Sequence, residues 1–397
     1  MEKTPLSLRT HITLFGNTNS GKSSLFNKLL GQDIAIVSPR AGTTTDPVIK
    51  AMELIPYGPV ALCDTAGWGD TTEIGSMREA KTNDLLRRTD FALYVADSAD
   101  FNEDAYRNAC EIFEENKIEH LLIFTKSDLG KAPKVADSIS VSINDESSIE
   151  RLKSELIKRL ERSVEKEKSV MGSLLKTGDV AILVIPIDSE APKGRLILPQ
   201  VQIIRDCLDN GITAVCVRDT ELKSTIERLG HVDLVITDSQ AFKKVAELVP
   251  EDIMLTSFSM LLAYQKGDIF TLSEGAKALD NLKDKSRILM AEACTHNTSH
   301  EDIGRVKIPR LLRKYTGKDL IFEYSISYDF PKDLTQYDMI IHCGGCMISK
   351  RAMESRMDEA RKFGVPITNY GVVISYANGI LKRSLEIFKK EKQNEKT

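Results

Sequence analysis

The chain has 397 residues, of which 42% are hydrophobic and 28% charged, and its formal net charge is -4. This length exceeds what one hydrophobic core usually serves and predicts two or three domains. The acidic balance, with a pI near 6.0, lacks the excess of Lys and Arg with which nucleic-acid-binding proteins neutralise phosphates, so we expect no nucleic-acid partner.

The N-terminus and the cysteines predict the compartment. The first eleven residues are polar and lack the apolar core of a signal peptide, and no apolar run is long enough to cross a bilayer. We therefore expect a cytoplasmic protein with no membrane partner. In that reducing compartment the seven cysteines are not expected to form a disulfide framework. Four of them sit in apolar or helical patterns and are interpreted as buried small hydrophobic residues, namely Cys63, Cys110, Cys207 and Cys216.

The first segment, residues 1–168, alternates short apolar runs with helical patterns. The runs predict buried parallel strands at Ile12–Phe15, Val60–Cys63, Phe91–Ala96 and Leu121–Phe124. The last helix has a capping-box spacing from Ser147 to Glu150, and its apolar face is formed by Ile149, Leu152, Leu156, Leu160 and Val164. The charged stretch from Glu161 to Lys168 marks a solvated helix end or linker. This pattern is typical of an α/β nucleotide-binding domain.

A phosphate-binding motif lies between the first predicted strand and the following helix. Residues 16–23, GNTNSGKS, fit G-x-x-x-x-G-K-S/T in the strand-loop-helix context that the motif requires. The glycines let backbone N–H groups surround the phosphates, Lys22 reaches the β- and γ-phosphate oxygens, and Ser23 can bind Mg²⁺. The loop residues assigned to the nucleotide are Gly16, Asn17, Asn19, Ser20, Gly21, Lys22, Ser23 and Ser24.

The middle segment, residues 172–266, begins a second alternating series. Strands are predicted at Val180–Ile187, Ala214–Val217 and Leu234–Thr237, and helices at Leu198–Leu208 and Leu222–Leu229. The segment contains no catalytic motif that we can identify. A small α/β unit of this kind is suited to packing against a partner subunit.

The third segment, residues 267–397, again alternates strands and helices. Strands are predicted at Arg287–Ala293, Ile321–Ser325, Met339–Ile341 and Ile367–Ile374, and helices at Ile308–Tyr315 and Ser349–Phe363, with a frayed tail beyond Phe388. Two metal-type motifs, Cys294-x-His296 and His342-Cys343-x-x-Cys346, directly follow predicted strands. Because ligands gather beyond the carboxyl ends of parallel strands, we expect the two motifs to converge on one site.

The residue types and spacing of these motifs favour a metal centre of one of two kinds. Thiolates of Cys294, Cys343 and Cys346 can hold three irons of a [4Fe-4S] cube, which leaves the fourth iron to a His, a carboxylate or an exchangeable ligand. With His296 the same thiolates would make a Cys₃His zinc tetrahedron. A redox or packing role without metal is the third alternative. His342 is either a ligand or a hydrogen-bond partner of a cluster sulfur.

The first segment resembles the translation-factor-related GTPases, most closely those of the Era and TrmE type. Residues 64–67, DTAG, match the start of their switch II, and residues 125–128, TKSD, are similar to their guanine motif. The resemblance implies that Asp64 holds Mg²⁺ through water and that the Gly67 amide senses the γ-phosphate. It also assigns guanine recognition to Thr125, Lys126 and Asp128, and hence GTP as the nucleotide.

The same resemblance assigns two further positions. In residues 41–46, AGTTTD, Thr44 is the Mg²⁺-binding switch I threonine, with Thr43 or Thr45 as alternatives if the register differs. Ser142 stands in a segment SIN where the family usually has Ser-Ala-Lys, and is assigned to the base. Hydrolysis of GTP to GDP and phosphate is assigned to Lys22, Thr44, Asp64 and Gly67.

One departure from the Ras-like pattern affects the expected rate. Trp68 stands where those enzymes orient the attacking water with Gln, and it has no acceptor for a water, so we expect slow intrinsic hydrolysis. In TrmE-type enzymes a K⁺ ion held partly by a P-loop Asn supplies positive charge, and Asn19 matches that residue. Glu73 is similar to their water-orienting Glu, at an offset from Gly75 that differs by one position. The resemblance predicts K⁺-stimulated hydrolysis; the alternative for Asn19 is a residue that fills a turn.

All three segments together resemble the [FeFe]-hydrogenase maturation GTPases of the HydF family. The resemblance implies three α/β domains: a P-loop GTPase fold at 1–168, a dimerisation domain at 172–266 and a cluster-binding domain at 267–397, the last two with small, mostly parallel sheets and helices. It also implies a [4Fe-4S] cluster on Cys294, Cys343 and Cys346. The expected partners are a second copy, radical-SAM hydrogenase maturases and apo-[FeFe]-hydrogenase, to which the protein would deliver a diiron precursor. Asp188 or Glu190 could supply a carboxylate to the open iron, although an ordinary loop is the simpler interpretation.

Two other functions fit the same motifs. A zinc-containing regulatory GTPase in RNA modification or ribosome assembly would hold zinc and no iron. An electron-transfer iron–sulfur protein with a GTPase switch would be reduced reversibly by a redox partner and would transfer no diiron species.

Overall fold

The computed structural model describes residues 4–31, 48–65, 85–163, 169–187, 194, 196–293, 303–326, 330–331 and 333–394. The chain divides into two compact units, Met1–Lys166 and Glu167–Thr397. No helix in the described ranges has both the length and the apolarity needed to span a membrane.

The first unit is built on a six-stranded sheet with the order β2-β3-β1-β4-β5-β6. Strand β2 is antiparallel to β3, and the other pairs are parallel. The strands are β1 (Thr10–Phe15), β2 (Val48–Leu54), β3 (Gly58–Asp64), β4 (Phe91–Asp97), β5 (Glu119–Thr125) and β6 (Ser138–Ser140). The central strands are runs of buried apolar residues because a parallel sheet is covered on both faces.

Helices of the first unit pack on this sheet through apolar faces. In the described ranges they are α1 (Lys22–Leu29), α2 (Glu103–Glu115) and α3 (Glu146–Ser163). The predicted face of α3 is confirmed at Ile149, Leu152, Leu156 and Leu160, which are buried in one hydrophobic cluster with residues of the sheet. The predicted serine capping box is wrong, because Asp145 precedes the helix and its Oδ1 accepts the Ser147 N–H at 3.0 Å.

The second unit contains two four-stranded parallel sheets. The first has the order β10-β9-β7-β8 and consists of β7 (Val180–Val184), β8 (Thr213–Val217), β9 (Leu234–Thr237) and β10 (Met254–Ser257). The second has the order β12-β11-β13-β14 and consists of β11 (Arg287–Glu292), β12 (Ile321–Ile326), β13 (Met339–His342) and β14 (Ile367–Asn369). This matches the predicted class of small parallel sheets with helices.

The helices of the second unit alternate with its strands. They are α4 (Val170–Leu174), α5 (Leu198–Asp209), α6 (Leu222–Leu229), α7 (Phe242–Leu248), α8 (Phe258–Lys266), α9 (Ile269–Ala276), α10 (Ile308–Thr316), α11 (Lys350–Lys362), α12 (Tyr370–Ala377), α13 (Leu381–Ser384) and α14 (Glu386–Asn394). One hydrophobic core includes Leu183 and Ile236 of the first sheet, Leu289 and Ile340 of the second, and Leu261 of α8. The division of this unit into two domains at 266/267 stays a prediction.

The C-terminal region differs from the predicted pattern in two places. The apolar run at 367–374 is a short strand followed by helix α12, because the Asn369 side chain accepts the Val372 N–H at 2.9 Å and caps a helix there. Apolarity alone does not distinguish a buried strand from a buried helix. The chain beyond Phe388 continues as α14 to Asn394, and Phe388 is fully buried, so the predicted frayed tail is wrong for those residues.

The burial predicted for the four other cysteines is only partly correct. Cys63 and Cys207 are buried, Cys110 is half-buried and Cys216 is exposed. Cys216 lies on β8, which is an edge strand of its sheet, and an edge strand has a neighbour on one side only. The prediction is therefore wrong for Cys216.

Candidate functional site

The loop between β1 and α1 has a backbone that favours glycine at two positions. Gly16 has φ 137° and Gly21 has φ 87°, a region that side-chain-bearing residues rarely adopt. A Cβ on Gly16 would lie 2.1 Å from the Val95 carbonyl oxygen, and one on Gly21 would lie 2.9 Å from Thr125 Oγ1. The loop is thus packed closely against β4 and β5. It leads into the N-terminus of α1, where backbone N–H groups suit a phosphate.

Lys22 is the first residue of α1, and its side chain is buried. Its ammonium donates to the carbonyl oxygens of Gly16 at 3.0 Å and Asn17 at 2.7 Å, so it lies against the loop backbone. Burial lowers the Lys22 pKa from 10.5 to about 8, and the Asp64 carboxylate opposes this shift. Burial removes water from the charged ammonium, so an anion beside it would be strongly attracted and would stabilise the charged form.

Ser23 and Asp64 provide oxygen atoms for a divalent cation. Ser23 Oγ donates to Asp64 Oδ2 at 2.7 Å, and Asp64 Oδ1 is buried without a hydrogen-bond partner among the described residues. Burial raises the Asp64 pKa, while the Ser23 hydrogen bond and the Lys22 charge lower it. Buried polar atoms without a partner are rare, and carboxylate and hydroxyl oxygens are ligands of the type that Mg²⁺ prefers. These residues therefore fit Mg²⁺.

Lys126 connects the base-binding motif to the phosphate-binding loop. Its ammonium donates to the Asn19 carbonyl oxygen at 3.0 Å and to Asp97 Oδ2 at 2.6 Å. Beside it, Thr125 Oγ1 donates to the Ser20 carbonyl oxygen at 2.6 Å. The base-binding motif and the phosphate-binding loop are thus connected by direct hydrogen bonds, as one nucleotide site requires. Asp97, at the end of β4, belongs to no motif that would identify it in the sequence.

Asp128 and Ser142 lie together with Asn144. Asp128 is exposed, and its Oδ2 accepts Asn144 Nδ2 at 3.1 Å. Hydrogen bonds from Ser142 and Asn144 lower the Asp128 pKa. Ser142 Oγ accepts the Asn144 N–H at 3.2 Å. An ionised carboxylate can only accept hydrogen bonds, which matches the N–H edge of guanine.

The other predicted nucleotide contacts lie in the same loop or outside the described residues. Ser20 Oγ is buried without a hydrogen-bond partner in the described part of the chain. Ser24 is exposed. Thr44 and Gly67, together with Thr43, Thr45, Trp68 and Glu73, lie outside the described residues, and their roles stay predictions.

The second candidate site begins where β13 ends. Strand β13 pairs with β11, with His342 opposite Ala291, and the Cys343 N–H donates to the Ala291 carbonyl oxygen at 2.9 Å. The Cys343 sulfur accepts the backbone N–H groups of Ala293 at 3.1 Å and Gly345 at 3.4 Å. Backbone N–H groups directed at a cysteine sulfur offset the charge of a metal-bound thiolate. Ala293, the residue before Cys294 in the sequence, therefore lies beside the Cys343 sulfur.

His342 is fully buried, and protein groups contact both of its ring nitrogens. Arg356 donates to Nε2 at 2.6 Å, and Nδ1 lies 2.7 Å from the Cys343 carbonyl oxygen. Because a guanidinium only donates, Nε2 is the acceptor and Nδ1 carries the hydrogen. Metal ligation by His342, or a hydrogen bond to sulfur, would require one of these contacts to break. The geometry favours a positioning role.

Two buried cationic residues near this loop have no signal in the sequence. One is Arg356, and the other is Lys266, which donates to carbonyl oxygens of the loop that contains Cys346. Neither residue belongs to a metal-binding motif. Only the folded chain brings them to residues 342–348.

Part of the predicted ligand set lies outside the described residues. This applies to Cys294, His296, Asp188 and Glu190. Within the described ranges, no group of three or more His, Cys, Asp or Glu side chains could hold a metal ion. The described residues contribute Cys343, which is buried, and Cys346, which is half-buried. The complete cluster site stays a prediction.

Three family models match successive parts of the chain. Residues 11–126 match the 50S ribosome-binding GTPase family, residues 170–267 match the hydrogen maturase F dimerization domain, and residues 270–387 match the hydrogen maturase F tetramerization domain. The first unit is therefore a GTPase domain. These matches confirm the predicted resemblance and the predicted fold class.

Curated relatives and solved structures are similar to the first segment. The tRNA modification GTPase MnmE of Dichelobacter nodosus is 33% identical over 148 residues, which cover 36% of this chain and 33% of that protein. MnmE of Xanthomonas campestris pv. campestris is 39% identical over 151 residues, which cover 37% of this chain and 33% of that protein. The G domain of the T. maritima FeoB iron transporter is 24% identical with a TM-score of 0.29, over 38% of this chain and 98% of that one. The chain thus spans about a third of the length of these curated relatives.

Proposed function

Because the chain belongs to the hydrogen maturase F family, whose two domain models together match more than half of it, we propose that it is a GTPase and iron–sulfur scaffold for [FeFe]-hydrogenase maturation. In this role it receives the precursor of the diiron subcluster from radical-SAM maturases and delivers it to apo-hydrogenase in the cytoplasm. The observation that supports the scaffold role best is the Cys343 sulfur, which accepts two backbone N–H groups beside the strand end that leads to Cys294.

The proposed hydrolysis uses the residues around the phosphate-binding loop. The loop N–H groups and the Lys22 ammonium neutralise the phosphates, while water attacks the γ-phosphorus in line and the bond to the β-phosphate oxygen breaks. Ser23, Thr44 and, through water, Asp64 would hold Mg²⁺, which offsets the charge that develops on the phosphate oxygens. Thr44 and Gly67 would contact the γ-phosphate, so its loss would release the switch loops.

The proposed cluster site uses the thiolates of Cys294, Cys343 and Cys346. The residues present fit a [4Fe-4S] cluster, because the Cys343 sulfur already receives N–H donors from two peptide groups. Three thiolates leave one iron with a position for another ligand, where an incoming diiron species could attach. His296, Asp188 or Glu190 would be the fourth ligand in the resting protein, whereas His342 would orient the loop.

A homodimer through residues 170–267 is part of the proposal. Strand β8 is an edge of its sheet, and the neighbouring helix α5 exposes the apolar side chains of Val201 and Leu208. An exposed sheet edge beside apolar side chains is a surface that proteins usually cover. A second copy would cover it.

Metal analysis of protein purified without oxygen tests the scaffold proposal. We expect about four irons and four sulfides per chain and a brown colour. Zinc with no iron would overturn the proposal. It would support the alternative of a zinc-containing regulatory GTPase in RNA modification, the process named for the MnmE relatives.

Nucleotide affinity is expected to fall as the pH rises above about 8. Free protein has a Lys22 pKa of about 8, and bound phosphate would raise that pKa, so binding above pH 8 requires uptake of a proton. Between about pH 7.5 and about pH 9 the affinity should fall about eightfold. Fluorescence titration with a labelled GDP measures it. In Lys22→Arg, whose side chain stays charged, the affinity should not change with pH; the same slope in both proteins would assign the effect to another group.

Hydrolysis is expected to run at least about tenfold faster in K⁺ than in Na⁺. Asn19 has φ 64°, so Asn19→Gly removes the side chain while keeping a residue that tolerates this backbone. The ratio of rates in K⁺ and Na⁺ should fall to about one in this variant. Steady-state phosphate release measures both rates. Equal rates in the two salts for the unaltered protein would remove Asn19 from cation binding.

A further inference from the structure

The last residue of α8, Lys266, is fully buried beneath the loop that contains the cysteine pair. Its Nζ donates to the carbonyl oxygens of Gly345 at 3.1 Å, Cys346 at 3.3 Å and Ile348 at 2.9 Å. Lysine is almost never fully buried unless its charge is stabilised. Three carbonyl acceptors require three N–H donors, which only the charged ammonium supplies. Lys266 therefore places a positive charge against this loop.

These three contacts also orient the peptide groups of the loop. In a trans peptide the C=O and N–H bonds point in opposite directions. Since the carbonyls of Gly345 and Cys346 face Lys266, the N–H groups of Cys346 and Met347 face away from it. Gly345 has φ 65°, and its own backbone N–H donates to the Cys343 sulfur, with 3.4 Å between nitrogen and sulfur. Lys266 thus fixes the two peptide groups that directly follow Gly345, the residue whose own N–H donates to the Cys343 sulfur.

A second buried cation contacts the residue before the loop. Arg356 is buried and donates a hydrogen bond to His342 Nε2 at 2.6 Å. The Nδ1 atom of the same ring lies 2.7 Å from the Cys343 carbonyl oxygen. Positive charges near a metal–thiolate centre favour its more negative form, and charge and hydrogen bonds set the reduction potentials of iron–sulfur clusters. Both ends of residues 342–348 are therefore held by cationic side chains.

We propose that Lys266 is a positioning residue of the cluster site, which fixes residues 345–348 and stabilises the reduced form of the cluster. The proposal rests on the [4Fe-4S] site described under Proposed function. The step concerned is the gain of one electron by the cluster from an added reductant, with no bond made or broken. Lys266 would raise the cluster midpoint potential because its charge opposes the negative charge that the electron adds.

Lys266→Met removes both the charge and the donors, and Lys266→Gln removes the charge but keeps two N–H donors. Dithionite titration of the anaerobically reconstituted full chain, monitored by EPR, measures the potential. We expect the equilibrium constant for reduction to fall about tenfold in both variants, about 59 mV for one electron. Cluster content should fall further in Lys266→Met than in Lys266→Gln. Lys362→Met, at an exposed position of α11, is the matched control and should behave like the unaltered protein.

The outcomes separate this inference from the function on which it rests. If the unaltered protein binds no iron, the proposed scaffold fails. If it binds a cluster, and the Lys266 variants keep the same potential and cluster content, the role of Lys266 is overturned. If Lys266→Met does not fold, as circular dichroism would show, the midpoint potential of Lys266→Gln tests the proposal alone. An unchanged potential in Lys266→Gln would then overturn the role of Lys266. A shift of equal size in Lys362→Met would reduce the effect to general surface charge and overturn the proposal.

Discussion

Replacing Cys343 by serine is expected to remove the proposed iron–sulfur cluster while GTP hydrolysis continues. Serine has no thiolate to bind iron, and the backbone N–H groups of Ala293 and Gly345 that now contact the sulfur at 3.1 and 3.4 Å would face a neutral hydroxyl instead. Cys343 lies in the second unit, and the phosphate-binding loop lies in the first. Iron and sulfide content should fall at least about tenfold, while the hydrolysis rate stays within about twofold of the unaltered rate. Iron analysis, EPR of the reduced protein and phosphate release measure the three quantities.

A matched substitution shows whether the effect belongs to the site. Cys216 is exposed on the edge strand β8, so Cys216→Ser makes the same chemical change away from residues 342–348. This control should keep its iron and its EPR signal. Retention of the cluster in Cys343→Ser would exclude Cys343 as a ligand and with it the proposed site. Loss of both cluster and GTP hydrolysis, with the fold intact by circular dichroism, would show that the two functions are not separable.

The parts of the fold that follow from sequence are those in which one physical rule dominates. Strands β1, β3, β4 and β5 lie within about two residues of their predicted positions because buried parallel strands are continuous apolar runs. Strand β2 has no such run, since Lys50 and Glu53 interrupt it and most of its residues are not buried. The run at 367–374 shows the limit of the rule. A single cap, Asn369, decides between strand and helix there.

The two candidate sites differ in how far the sequence predicts them. The phosphate-binding residues are contiguous, and the shape of a phosphate dictates both the glycines and Lys22, so a short motif identifies them. Lys266 contacts carbonyl groups 79 to 82 residues away along the chain, and Arg356 acts through His342. The positions of Lys266 and Arg356 depend on packing between distant elements, and no local sequence pattern identifies these two residues. Asp97 is similar, because its role beside Lys126 exists only once β4 and β5 are paired.

Replacing Lys22 by alanine is expected to lower kcat/KM for GTP hydrolysis about 10³-fold, or about 4 kcal/mol of transition-state stabilisation. The ammonium lies against the loop at Gly16 and Asn17, and under the proposed function it is the charge that contacts the β- and γ-phosphates. The variant should fold normally. Burial lowers the Lys22 pKa to about 8, which means that at neutral pH the buried charge costs stability, and alanine removes that cost.

Lys28 provides the control on the same helix. Its ammonium pairs with Glu146 at 2.7 Å and its side chain is 31% exposed, and a pair of this kind contributes at most about 1 kcal/mol. Lys28→Ala should therefore hydrolyse GTP within about twofold of the unaltered rate. Thermal melting followed by circular dichroism tests whether both variants are folded, and single-turnover phosphate release gives the rates. If folded Lys22→Ala keeps more than about a tenth of the activity, the phosphate charge must be met elsewhere, and the catalytic role of Lys22 is excluded.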